Sequence, residues 1–303
     1  MKDKNDPVLE FWRDRLYPLI ELLAQSMLDS PEKFTGMSLV DRNPEVIERL
    51  LPFLEWLHQD YFRVQTDGWE HIPASQVLLI GSHNGGLAIP DTLTMTYDWF
   101  QRFGTNRSIY ALMEPTMWGA MPTLARLAAQ MGAIQACPKM AIAALKQDAS
   151  LLIYPGGAKD VFRPYTLRHQ ICLNGQHGFI KLALEENIPI LPMISVGAHS
   201  TLIVLAEIHD QLEAISRGHF PWPFGLDPGV FPIYLGLPWG LAIGPLPNIP
   251  FPRPIYNRVC PPIRFDRYGK EAARDRLYVE RCYQLVKGTM QAALDQLVME
   301  TES

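Results

Sequence analysis

The sequence predicts an α/β protein, a single domain with a mostly parallel central sheet flanked by helices and with further helices at its two ends. Three observations carry that reading. Short apolar runs at Val77–Ile80, Ser108–Met113, Leu151–Tyr154 and Ile188–Val196 have the length and composition of buried strands. Segments of helical periodicity alternate with them, as a parallel sheet requires for its crossovers. Two of the runs end in glycine-rich turns followed by polar side chains, and open α/β sheets collect ligands at the carboxyl ends of their strands.

Composition narrows the class. The 303 residues are 48% hydrophobic and 19% charged, as in a folded chain with a sizeable core. The net charge is −5, from 27 basic and 32 acidic residues, and no Lys/Arg run is dense enough for nucleic acid as the main partner. Four cysteines, Cys137, Cys172, Cys260 and Cys282, lie far apart without a C-x-x-C pair. That argues against a zinc site or a disulfide framework and fits a reducing compartment. The leading MKDKNDP runs into a charged segment and not into a signal-peptide core, so the expected location is cytoplasmic. Pro228–Pro252 holds no charged residue and is long enough to span a bilayer. Its seven prolines and four glycines rule out a spanning helix, leaving apolar loops and short strands.

The elements follow in order. Pro7–Leu28 places Leu9, Trp12, Leu16, Leu19 and Leu23 at helical spacing, an amphipathic helix suited to packing on the domain or to a membrane surface. Pro44 stands at the N1 position of a helix over Pro44–Gln59. Thr66-Asp67-Gly68 makes a turn, and His71 reads as a solvated loop residue. A helix runs from Asp91 to Phe103, another from Pro122 to Met131 closed by Gly132, and a third from Lys139 to Lys146. Gly178–Asn187 is helical, Leu202–Glu213 has no clear period, and Gly269–Thr301 is a terminal helix. The expected division is a helical segment at 1–60, the α/β domain at 61–268 and the C-terminal helix at 269–303 packed on it.

Two loops hold the chemistry. In Val77–Asp91 (VLLIGSHNGGLAIPD) a strand delivers His83 to a turn made by Asn84, Gly85 and Gly86. Asp91 follows, as a partner that orients His83 for general-base work or as an N-cap of the next helix. In Tyr154–Tyr165 (YPGGAKDVFRPY), Gly156 and Gly157 offer an anion-binding nest and Arg163 a bidentate phosphate ligand, or else a tight turn with surface charges. Ser82 beside His83 is a poor nucleophile for it, since adjacent strand residues face opposite ways. His177, His169 and His199 are minor candidates for the cleft, whereas His58, His209 and His219 read as surface or packing residues.

SHNGGLAIPD, YPGGAKDVFRPY, HGFIKLALEENIPILP and the later LGLPWG…PLPNIPFPRPI, in that order over roughly Tyr61–Phe265, resemble the glycerolipid (lysophospholipid) acyltransferase superfamily. The diacylglycerol acyltransferase-like and phytyl-ester-synthase-like branch is the most similar. The resemblance implies an acyltransferase-like fold and acyl transfer from a thioester, acyl-CoA or an acyl carrier protein, to a lipid hydroxyl of a lysophospholipid, diacylglycerol or long-chain alcohol. It implies His83 as general base with Asp91 as its partner, and substrate contacts from Asn84, Gly85, Gly86, Gly156, Gly157, Asp160 and Arg163. An amide of a glycine loop would hold the oxyanion. No metal and no bound cofactor are needed, and the protein would attach peripherally to membranes, with Phe220–Pro252 as the lipid-contacting stretch. A non-catalytic lipid-binding protein on the same fold is the alternative. The sequence departs from the family pattern in three places. Seven residues instead of the usual four separate His83 from Asp91, Gly156-Gly157 replaces Glu-Gly, and Gly132–Cys137 lacks an arginine. Together these favour a neutral acceptor over lysophosphatidic acid.

Overall fold

The computed structural model describes residues 10–28, 34–216, 218, 220–222 and 227–302. Expectations for residues 7–9, for His219 and for residues 223–226 lie outside them. Among the described residues there are ten strands: β1 (Gln65–Asp67), β2 (Leu78–Gly81), β3 (Ile109–Met113), β4 (Ala133–Gln135), β5 (Ser150–Ile153), β6 (Ile190–Val196), β7 (Ile203–Glu207), β8 (Pro232–Gly236), β9 (Gly240–Ile243) and β10 (Tyr256–Val259). The chain divides into two compact units, one of Met1–Tyr61, Pro73–Leu79 and Thr96–Ile153, the other of Phe62–Ile72, Ile80–Met95 and Tyr154–Ser303.

In the first unit the strand order is β2-β5-β3-β4, with β3 parallel to both β5 and β4. Its helices start where the sequence supplies caps. Asn43 accepts hydrogen bonds from the Glu45 and Val46 amides, so Pro44–Trp56 begins with its orphan donors satisfied and buries Val46, Ile47, Leu50 and Leu54. Pro122–Met131 ends at Gly132, whose φ of 101° belongs to the left-handed region expected at C′. The N-terminal helix, described over Tyr17–Leu28, packs Leu22 against Val46 and Leu50. Trp12 and Tyr17 stay exposed.

In the second unit the order is β1-β10-β6-β2, with β1 parallel and β6 antiparallel to β10. The sheet pairings are thus mostly parallel and the fold is mixed α/β, as the alternation of runs and periodic segments predicts. In a separate antiparallel sheet, β7-β8-β9, the strands β8 and β9 belong to the proline-rich stretch, which forms short strands in place of a spanning helix. Among the described residues no helix is long and apolar enough to cross a membrane. The terminal helix is two, Lys270–Arg274 and Arg276–Thr301, broken where Asp275 turns extended and its side chain accepts from the Tyr278 amide. Leu202–Glu213 resolves into β7 and the helix His209–Ser216. The segment read as a turn at Thr66-Asp67 is strand β1, a short, partly exposed strand of polar residues with no hydrophobic run to announce it. Gly68 then turns the chain at φ 78°.

Candidate active site

All four residues of β2 are buried, and the strand hands the chain over at Gly81 to Ser82 and His83. The two side chains part as strand pleating demands. Ser82 Oγ donates to both oxygens of the Asp160 carboxylate, at 3.0 and 3.1 Å. His83 turns the other way and its Nδ1 meets the Asp91 carboxylate at 3.0 and 3.2 Å. Ser82 and His83 therefore form no nucleophile and base couple.

The seven-residue excursion between His83 and Asp91 closes because two glycines take positive φ, 83° at Gly85 and 69° at Gly86. Neither position has room for a side chain. A Cβ on Gly85 would lie 2.5 Å from Pro90 and 2.8 Å from the Thr201 hydroxyl, and one on Gly86 would lie 2.6 Å from Leu202. The glycines thus close the turn against its neighbours. Asn248 Nδ2 fastens the same turn from outside by donating to the Gly85 carbonyl at 3.3 Å. The helix Pro90–Phe103 then presents Asp91 in its first turn. One Asp91 oxygen accepts the Thr92 amide at 2.7 Å and the other the Asn84 amide at 2.8 Å. Asp91 thus lies inside the first turn, after Pro90 has begun the helix, and is not its N-cap, while its carboxylate meets the imidazole.

With Nδ1 donating to a carboxylate, the remaining lone pair sits on Nε2, and among the described residues no hydrogen bond reaches that atom. The His83 side chain is 16% exposed and Asp91 only 4%. Below the imidazole lies the ring of Tyr154, stacked at 4.3 Å with 19° between planes. Tyr154 fits there because Gly81 has no side chain: a Cβ would stand 2.4 Å from the tyrosine ring. Burial pushes the Tyr154 hydroxyl well above the ordinary phenol range, and the nearby Asp91 charge adds to the effect, so the ring stays neutral. No sequence pattern singled out Tyr154. Its position directly after strand β5, at the mouth of the second glycine loop, is the signal that could have done so.

The second loop supports the first from beneath. Asp160 is fully buried and Arg163 only 4% exposed. The Asp160 carboxylate accepts from Ser82, from the His83 amide and from Arg163 Nη1 at 2.6 Å. Burial raises its pKa to about 6, opposed by Arg163, His83 and Ser82, so it is ionised at neutral pH. Arg163 donates to the His83 carbonyl at 2.8 Å, to Asn84 Oδ1 at 2.6 Å and to the Leu167 carbonyl at 3.2 Å. The guanidinium expected to hold a phosphate is thus committed inside the protein. Asn84 is likewise committed, its Oδ1 to Arg163 and its Nδ2 to the Ser82 carbonyl. The anion nest expected at Gly156-Gly157 is a support as well, since Gly157 N–H donates to the Tyr154 carbonyl at 3.2 Å. A Cβ on Gly156 would stand 2.4 Å from the Cys172 carbonyl oxygen, whereas one on Gly157 meets nothing within 4 Å. Gly156→Ala should therefore cost about 1–3 kcal/mol by overpacking. Gly157→Ala costs about 1–2 kcal/mol for its left-handed backbone alone. Paired denaturant titrations check both, and a Gly156→Ala variant as stable as wild type would contradict the packing.

The other histidines fall outside this cluster. His199 is buried and stacks on Tyr165, and burial together with the Arg163 charge drives its pKa down to about 3, leaving it neutral. His169 and His177 pair with Glu302 and Glu280 on the terminal helix. His71 is half-buried, with Nδ1 on the Val259 carbonyl at 2.9 Å, and so is not the free loop residue expected. His58 faces Asp98, and His209 pairs with Asp227 and Asp210. All four cysteines are free.

Comparison with known proteins gives four findings. An uncharacterized protein of Mycobacterium leprae is 24% identical over 234 residues, 75% of this chain and 61% of that protein. One of Mycobacterium tuberculosis is 23% identical over 197 residues, 64% of this chain and 54% of that protein. The chain thus spans little more than half the length of these relatives. The crystal structure of the 1-acyl-sn-glycerophosphate (LPA) acyltransferase PlsC from Thermotoga maritima superposes with a TM-score of 0.49 at 13% identity, covering 96% of this chain and 93% of that one. Residues 63–196, which hold His83, Asp91, Asp160 and Arg163, match the family model described as Acyltransferase.

Proposed function

We propose that the protein is an O-acyltransferase that moves a fatty acyl group from an acyl thioester to a lipid hydroxyl, with His83 as general base and Asp91 as its orienting partner. The observation that carries this reading is the His83 Nδ1 to Asp91 contact of 3.0 Å, which leaves Nε2 as the basic atom. Nε2 takes the proton of the acceptor hydroxyl as its oxygen attacks the thioester carbonyl carbon. The tetrahedral intermediate collapses by breaking the carbon–sulfur bond, and the departing thiolate recovers the proton from Nε2. Asp91 stabilises the imidazolium in between. The match of residues 63–196 to the acyltransferase family supports the reaction class.

The acceptor we assign is neutral, a diacylglycerol or a long-chain alcohol. Arg163, the cation closest in sequence to the second glycine loop's end, is buried and bonded to His83, Asn84, Asp160 and Leu167. Lys159 is paired with Asp210 at 3.0 Å. Arg163 is therefore not free to meet an acceptor's phosphate, whereas the Lys159 pair is exposed and weak. The experiment is free-thiol release from acyl-CoA and acyl carrier protein donors, with lysophosphatidic acid, diacylglycerol and a long-chain alcohol supplied separately. Release that depends on diacylglycerol or the alcohol is expected. Dependence on lysophosphatidic acid alone would reverse the acceptor assignment. Silence with every donor and acceptor would leave the non-catalytic lipid-binding reading in its place.

A further inference from the structure

We infer that the outer face of the β7-β8-β9 sheet docks on the surface of a phospholipid bilayer. The inference deepens the reading of His83 as a base acting on a lipid hydroxyl and rests on it for its purpose, though not for its test.

The inner face of this sheet is an ordinary core. Val204, Tyr234 and Ala242 pack with Val161, Phe162 and Leu202. A sheet with its other face in water alternates apolar and polar residues. This one does not. Leu235 pairs across the strands with Leu241, and Ile233 with Ile243, on the side away from that core. Leu241 is 64% exposed and Ile243 54%, with Leu205 on β7 at 52%. Trp239, between β8 and β9, is 53% exposed, and its Nε1 already donates to the Pro247 carbonyl at 2.7 Å. The indole therefore offers surface without a donor in need of a partner. A contiguous exposed apolar face of this kind marks an interaction site.

The absence of charge selects the occupant. No Asp, Glu, Lys or Arg occurs from Pro228 to Pro252. A protein partner is registered by a polar rim and about one hydrogen bond per 100–200 Å². The hairpin supplies no ionic group for such a rim, and the one polar side chain of its return segment, Asn248, is turned to the Gly85 carbonyl. Hydrocarbon asks for no such partners.

The hairpin is also tied to the proposed site. The Ile249 amide bonds the Leu237 carbonyl at 2.8 Å, and the Phe251 amide bonds the Thr201 carbonyl at 2.8 Å. Thr201 and Asn248 are the residues against which the Gly85-Gly86 turn closes. The segment that returns from the hairpin thus also fastens the turn that follows His83.

Co-sedimentation of the full chain with phosphatidylcholine vesicles tests the assignment. Wild type and His83→Ala should bind alike, because the base is not part of the face. Leu241→Glu/Ile243→Glu should bind at least tenfold more weakly with an unchanged melting temperature, both side chains being exposed. Leu241→Gln should weaken binding by less and guards against a folding defect in the double variant. Wild type left in the supernatant, or double variant binding like wild type, would overturn the docking. So would a concentration-dependent dimer abolished by the same substitutions, which would give the face to a second copy of the chain. Vesicle binding without any thioester turnover would sink the catalytic reading alone. Turnover on a dispersed short-chain alcohol without vesicle binding would sink the docking alone.

Discussion

His83→Ala is expected to lower acceptor-dependent thiol release by about 10²–10⁴-fold, the range typical for a lost general acid–base group. The melting temperature should change little. The imidazole makes one side-chain hydrogen bond, to Asp91, and stacks on Tyr154. Asp91 keeps its bonds to the Asn84 and Thr92 amides without it, so no buried carboxylate is orphaned. The main-chain bonds of residue 83 to Asp160 and Arg163 survive as well. An alanine there therefore removes the proton carrier and leaves its mounting. Asp91→Asn separates the partner's role from the base's. An amide can accept from Nδ1, but it does not stabilise the imidazolium formed during attack. The drop in turnover should be smaller than in His83→Ala, with some loss of stability, because the carboxamide nitrogen faces a main-chain N–H that a carboxylate oxygen accepted. If His83→Ala keeps wild-type turnover on every acceptor, the base lies elsewhere and the mechanism fails.

The parts of this site that are contiguous in sequence were legible from sequence, and those that depend on folding were not. β2 and its histidine announce themselves, because Val77–Ile80 is apolar and ends in glycines. Asp91 stood out as the carboxylate that follows the glycine turn, but only folding shows that seven intervening residues let it reach Nδ1. That reach depends on two positive-φ glycines packed against Thr201 and Leu202, more than 110 residues later in the chain. Asp160 and Arg163 illustrate the opposite case. Their residue types suggested ligands, because charged side chains after a glycine turn usually face solvent. Burial reversed the meaning. Once a carboxylate and a guanidinium are enclosed together, each is the other's counterion and both become scaffold. Sequence periodicity carries no record of which side of a loop is inside.

Arg163→Met gives the largest expected loss of stability, about 3–5 kcal/mol, the cost of removing one partner from a buried ion pair. Methionine approximates the volume but leaves the Asp160 carboxylate without its cation, and the His83 carbonyl and Asn84 Oδ1 without their donor. The pH dependence identifies the cause. In wild type, burial holds Asp160 near pKa 6, above its ordinary 3.8, so the folded state binds a proton that the unfolded chain has released. Stability contributed by this group is present below the unfolded pKa and is lost as pH rises toward about 6. Without Arg163 the folded pKa climbs further, and the loss continues to higher pH. The gap between wild type and variant should therefore be constant below about pH 6 and widen above it. Denaturant titrations from pH 5 to 8 measure that gap. A gap that stays flat across the range would mean that Arg163 stabilises the loop only through its bonds to neutral acceptors. A gap that widens would place the charge of Asp160 at the centre of what holds His83 in register.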